Sequence, residues 1–145
     1  LDAATCLTID SNRSMERVGG LAGLTALTTL RITNCGKLVD LSGLEDLPNL
    51  STVEIRRCAS LANVDGLAGL RGLQTLSLAS NGELASLDGI VRLSNLAAVD
   101  LSGCYRLGDL ARGGASDFMN RRGKYESQES CDELRKLVLR AMLDR

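Results

Sequence analysis

The sequence predicts an α/β solenoid: about five stacked units of 23 residues, an irregular connector and a C-terminal helix. Three observations predict it. Apolar residues recur in seven columns at an unbroken interval of 23, and leucine and glycine abound while aromatics are nearly absent (Phe118, Tyr105 and Tyr125, with no Trp). Within each unit, a period-two apolar step gives way to a period-three run. A core without rings must be built from many similar aliphatic groups, which suits layers better than one central knot.

The strand comes first in each unit. Leu7, Leu30, Val53, Leu76 and Val99 form one column, and Ile9, Ile32, Ile55, Leu78 and Leu101 follow two residues on. Apolar–x–apolar spacing places both side chains on one face of a short strand. Beyond it, apolar positions come about every third residue. Met15, Leu38, Leu61, Leu84 and Leu107 begin the run, and Val18, Leu41, Val64, Leu87 and Leu110 continue it. Leu21, Leu44, Leu67 and Ile90 come next, then Leu24, Leu47, Leu70 and Leu93, and finally Leu27, Leu50, Leu73 and Leu96. That spacing suits a 3₁₀ or helical turn carrying the chain back on the opposite side. Gly20, Gly43, Gly66 and Gly89 form a further column. Ser42, Asp65 and Asp88 precede three of them as expected caps, and Glu45 completes a capping box with Ser42. The aliphatics of a single unit bury too little surface to offset the entropy of ordering it, so stability belongs to the stack.

The units Leu27–Leu47, Leu50–Leu70 and Leu73–Leu93 resemble the leucine-rich repeat, L-x-x-L-x-L-x-x-(N/C)-x-x-L, over about residues 4–110. Their length and G-L-x-x-L ending are similar to the short repeats of internalin-like and SDS22-like proteins. The mixed Asn/Cys column also resembles that of repeat proteins from protozoan parasites. The resemblance implies a right-handed horseshoe arc, with a parallel sheet on its concave face and short 3₁₀ or helical turns on its convex side. It also implies that partners bind on the concave face. Asn12, Cys35, Cys58, Asn81 and Cys104 fall at the family's inward position after the strand, where the side chain hydrogen-bonds buried backbone; a thiol can do this weakly in place of an amide.

Adjacent strands are close enough for a Cys35–Cys58 bridge, but ladder side chains point in parallel. The odd count of five cysteines speaks for free thiols and for a cytoplasmic or other reducing compartment. The chain opens on Leu1 rather than Met, as expected of a piece of a longer product, so a targeting segment cannot be judged from it.

On the outward side of the strands, Thr8, Arg31, Glu54, Ser77 and Asp100 form one column, and Asp10, Thr33, Arg56, Ala79 and Ser102 the next. Cys6, Thr29, Thr52, Thr75 and Ala98 flank them, while Ser11, Asn34, Arg57, Ser80 and Gly103 stand at the strand exits. Arg31, Glu54, Arg56, Arg57, Ser77 and Asp100 are the candidate partner-binding residues. The face lacks the aromatic anchors that dominate tight interfaces, so modest, salt-sensitive binding is expected.

Residues 1–110 read as the repeat domain, 111–129 as an irregular connector, and 130–145 as an amphipathic helix that either closes the last unit, the default expectation, or docks on a partner. In the connector, Arg112, Phe118, Arg121, Arg122 and Lys124, with Tyr125, are candidates for contacting RNA or another partner by charge and stacking. Ser130 and Glu133 are the expected capping box of the helix. Its apolar stripe is Cys131, Leu134, Leu137, Val138 and Ala141, broadened by Leu139 and Met142.

A formal charge of −1 argues against gross attraction to nucleic acid or anionic membrane. No apolar run approaches the ~20 residues of a membrane span. The absence of histidine removes the commonest general base and most catalytic zinc sites. No CxxC or Cys/His cluster suggests a metal, and no sequence feature calls for a cofactor. The reading is therefore a non-catalytic protein-interaction module. Its alternatives are a ribonucleoprotein subunit touching RNA through 112–124, or the recognition arm of a protein whose enzyme domain, such as a ubiquitin ligase, lies outside these residues.

Overall fold

The computed structural model describes residues 5–21, 23–109 and 122–145. Six strands form one sheet in chain order: β1 (Cys6–Asp10), β2 (Thr29–Thr33), β3 (Thr52–Arg56), β4 (Thr75–Ser77), β5 (Ala98–Asp100) and β6 (Lys124–Tyr125). The first five run parallel, and residues 23 apart are partners at every rung, as in Leu7 to Leu30 and Leu30 to Val53. One face of each strand lines the core. In β2, Leu30 and Ile32 are buried while Arg31 between them is exposed.

Return segments lie opposite the sheet, with 3₁₀ turns at Gly19–Leu21, Leu44–Asp46, Asp65–Leu67, Asp88–Ile90 and Tyr105–Asp109. The period-three spacing has a direct backbone cause. Leu44, Leu47 and Leu50 each donate an N–H to the carbonyl three residues back, itself on an apolar column, at 3.0–3.4 Å. Leu67, Leu70 and Leu73 repeat the pattern, as do Ile90, Leu93 and Leu96. Bond spacing and apolar spacing coincide, so each bonded residue turns inward.

Successive units touch backbone to backbone beneath the glycine column. A Cβ on Gly66 would lie 2.3 Å from the Leu41 carbonyl carbon, and one on Gly89 2.2 Å from the Val64 carbonyl oxygen. The anticipated capping by Ser42, Asp65 and Asp88 is corrected here. The 3₁₀ turns receive no side-chain cap from these residues, and Asp65 and Asp88 sit inside their turns. The acceptors lie two residues earlier: Asp40 takes the Ser42 N–H, Asn63 that of Asp65, and Ser86 that of Asp88. Glu45 accepts from the Gly43 N–H at 2.9 Å rather than closing a box with Ser42.

The core runs unbroken from Val18 to Val138. In the first unit, Leu7, Ile9, Met15, Leu21 and Leu24 are only half-buried, because no described unit stacks outside it.

Two departures mark the C-terminal part. The expected irregular connector contains β6, which pairs antiparallel with β5, Val99 opposite Tyr125 and Asp100 opposite Lys124. The helix spans Gln128–Leu143, with Ser127 rather than Ser130 as its N-cap. Ser130 is the third helical residue, and the two serines bond each other reciprocally at 3.1 Å. Cys131, Leu134 and Val138 are fully buried on the fourth and fifth units, whereas Leu139, expected in the stripe, faces outward at 43% exposure. Arg135 donates to the Val91 carbonyl at 3.0 Å, and Arg145 grips Asp88 with two bonds of 2.6 and 2.9 Å. That grip holds the Asp88 carboxyl below its usual range.

Candidate interaction face

The five parallel strands set their outward side chains side by side. In register, Thr8 meets Arg31, Arg31 meets Glu54, Glu54 meets Ser77, and Ser77 meets Asp100. A hydrogen-bonded chain crosses these rungs. Arg31 Nε donates to Glu54 Oε2 at 2.8 Å, Arg56 lies 3.9 Å from the other Glu54 oxygen, and Arg56 Nε donates to Ser77 Oγ at 3.1 Å. Two of the three candidate arginines are thus partly neutralised by Glu54. Arg57 makes no ion pair among the described residues and is exposed, so it is the face's freest cation.

Ser77 departs from expectation. It does not project freely but is 5% exposed, with the Arg56 guanidinium bonded to its hydroxyl. Asp100 accepts from the Ser102 N–H and hydroxyl at 3.0 and 2.7 Å. At the other margin, Asp10 accepts from Thr33, Asn34 and Ser11, and these donors, Thr33 first, hold its carboxyl below the usual range. This anionic end was not singled out from the sequence, where Asp10 stood alone among neutral neighbours.

The strand exits share one backbone state. Ser11, Asn34, Arg57, Ser80 and Gly103 all have φ between 54° and 75°. This left-handed step turns the chain sharply out of the sheet, and Arg57 adopts it without the ease of glycine or asparagine. Between β3 and β6 a hollow of about 230 Å³ opens, floored by small residues such as Ser77 and Ala98 and bordered by Arg56, Glu54, Lys124 and Glu126.

Behind the exits stands the Asn/Cys ladder. Asn81 is fully buried; its amide donates to the carbonyls of Ile55 at 2.6 Å and Leu78 at 2.8 Å, and its oxygen accepts from the Cys58 N–H at 2.9 Å. The thiols of Cys35, Cys58 and Cys104 donate to the carbonyls of Thr33, Arg56 and Leu78. Asn12 departs from this inward column: it is exposed and caps Ser14 and Met15 locally, with no earlier described turn to reach.

All five cysteines are free, and burial pushes the Cys58 and Cys104 thiols up. A disulfide reagent added to native protein should titrate Cys6 alone at once and reach the other four only on unfolding. Prompt labelling of all five would contradict the buried ladder.

Of the candidate RNA contacts, Arg112, Phe118 and Arg121 lie outside the described residues. Arg122 and Lys124 are exposed. Tyr125, expected to stack, is instead packed in the core at 1% exposure and presents no ring to a base. Among the described residues, no group of three His, Cys, Asp or Glu could hold a metal ion, and no helix is long and apolar enough to cross a membrane.

An internalin (inlF) from Listeria monocytogenes shares the fold with a TM-score of 0.58 and 26% identity over 66% of this chain. The fold is that of a leucine-rich-repeat solenoid. Internalin C2 from the same organism superposes with a TM-score of 0.58 at 23% identity over 71% of the chain. The leucine-rich-repeat chain spans 27% of the first protein's length and 49% of the second's. No family model and no curated protein matches the sequence.

Proposed function

We propose that this leucine-rich-repeat chain is a non-catalytic interaction module that grips a protein partner through its concave sheet face. The likeness to internalins supports an interaction module in general. The observation that carries the choice of face is its regularity: five parallel strands hold the ladder Arg31, Glu54, Arg56 in fixed register, with Arg57 and Lys124 beside it making no ion pair among the described residues. A rigid sheet presenting fixed charges pre-organises a contact without ordering cost. Its small neutral residues supply little anchoring, so binding rests on charge and is salt-sensitive. An absent histidine and a partner-facing surface without a nucleophile–base pair support the non-catalytic reading.

The test is affinity capture from nuclease-treated lysate with the wild-type chain and Arg57→Glu. Arg57 is exposed and off the core, so its reversal should leave the melting temperature within about 2 °C. A protein retained after nuclease by wild type and lost from Arg57→Glu is the expected result. Capture that disappears with nuclease transfers the partner to RNA, and capture indifferent to Arg57→Glu moves the site off this face.

A further inference from the structure

Only four large hydrophobic side chains are exposed among the described residues: Val39 at 47%, Tyr105 at 86%, Leu139 at 43% and Leu143 at 76%. Three of them mark two surfaces of opposite charge. Leu139 and Leu143 stand one turn apart on the outward side of the C-terminal helix, as i,i+4 neighbours do. Lys136 and Arg140 lie on the same exposed side, and neither makes an ion pair among the described residues. Val39 lies in the second unit, at a hollow of about 430 Å³ between the second and third units that is lined by Asp40, Glu45 and Asp65 and by no basic residue. Gly66 and Gly69 line it as well, and a Cβ on Gly69 would press within 3.3 Å of Glu45, so glycine keeps the hollow open. The Asp40 carboxyl is held below its usual range by the Ser42 hydroxyl and stays charged at neutral pH.

We infer that this chain associates with itself head to tail, the Leu139–Leu143 side of one copy seating in the acidic hollow of the next. The occupant follows from complementarity in both senses, leucines toward Val39, and Lys136 with Arg140 toward Glu45, Asp65 and an Asp40 that Arg17 approaches only to 3.9 Å. The match cannot close within one chain. Arg145 on Asp88 and Arg135 on Val91 tie the helix to the fourth unit, while the hollow spans the second and third. Two different patches meeting make a heterologous contact, which propagates rather than stopping at a symmetric pair. The patches are small, so association is weak and reversible. It uses neither the sheet face nor the charges assigned to a foreign partner above.

Sedimentation velocity over a concentration series at low salt reads the association directly. Wild type should show an average mass rising with concentration beyond that of a dimer, weakened on the order of tenfold at high salt. Leu143→Glu and Val39→Glu should each be monomeric with unchanged melting; Lys136→Glu with Arg140→Glu gives a second, independent loss. An equimolar mixture of Leu143→Glu and Val39→Glu should regain association and stop at a dimer, because it holds one intact pairing of helix and hollow. Wild type that stays monomeric throughout, variants that associate as wild type does, or a mixture that fails to pair would each overturn the inference.

Discussion

A chain ending at Glu126, without the C-terminal helix, should lose on the order of 5–8 kcal/mol of stability. Cys131, Leu134 and Val138 are withdrawn from water in the intact protein, and burial of each such side chain is worth ~1.5–3 kcal/mol. The loss is comparable with the whole stability of an ordinary domain, about 5–15 kcal/mol. Thermal melting by circular dichroism should show a collapse of the transition, with aggregation as the aliphatics of the fourth and fifth units meet solvent. The polar ties alone do not account for this: Arg145→Ala removes an exposed pair and should cost less than about 1 kcal/mol. A truncated chain as soluble and as stable as the full one would show that the helix does not close the stack.

Asn81→Ala should be the most damaging single truncation in the ladder. It strands the Ile55 carbonyl and the Cys58 N–H deep in the bend, while the Leu78 carbonyl keeps only the Cys104 thiol as donor. With roughly 1–3 kcal/mol for each buried group left without a partner, about 3–5 kcal/mol is expected after partial relaxation. Cys58→Ala removes one weak thiol bond and should cost far less, about 1 kcal/mol beyond its lost packing. Cys58→Arg, in contrast, drives a charge into the same column and should abolish the folded state. Urea titrations of the three variants separate these outcomes, and an Asn81→Ala midpoint matching Cys58→Ala would mean that amide and thiol do equal work.

The fold was legible in the sequence because its cause is periodic. Leu30, Val53 and Leu76 share a column because the same inward position recurs in every turn, and no tertiary accident is needed to place them. What escaped reading is what breaks the period. β6 is two residues long, and Lys124 and Tyr125 carry no alternation that could announce a strand. Tyr125 looked like a loop ring because its neighbours are charged, yet it supplies bulk at a place where the repeat's own leucines have ended. Ser130 was mistaken for the helix cap because Glu133 stands where a capping partner would, whereas Ser127 and Ser130 satisfy each other. On the candidate face, register gave the columns, but the Arg56 side chain folding over Ser77 depends on contacts between strands that no single unit encodes. Asn12 shows the converse: its residue type fits the ladder, yet it is exposed and accepts from the Ser14 and Met15 N–H groups of its own bend.

The reversed polarity of β6 has a further consequence for how this molecule measures distance. A parallel sheet can accept another 23-residue turn at any internal joint, and each turn adds one strand spacing, about 4.8 Å. The outer edge of β5 is already taken by a strand running the other way, so an added turn must be intercalated before β5. Lys124 is therefore anchored to the last parallel strand, while Arg31, Glu54 and Arg56 belong to the second and third. The span from that triad to Lys124 counts whole strands, and inserting or deleting one turn between them lengthens or shortens it in a single discrete step with the chemistry at both ends unchanged.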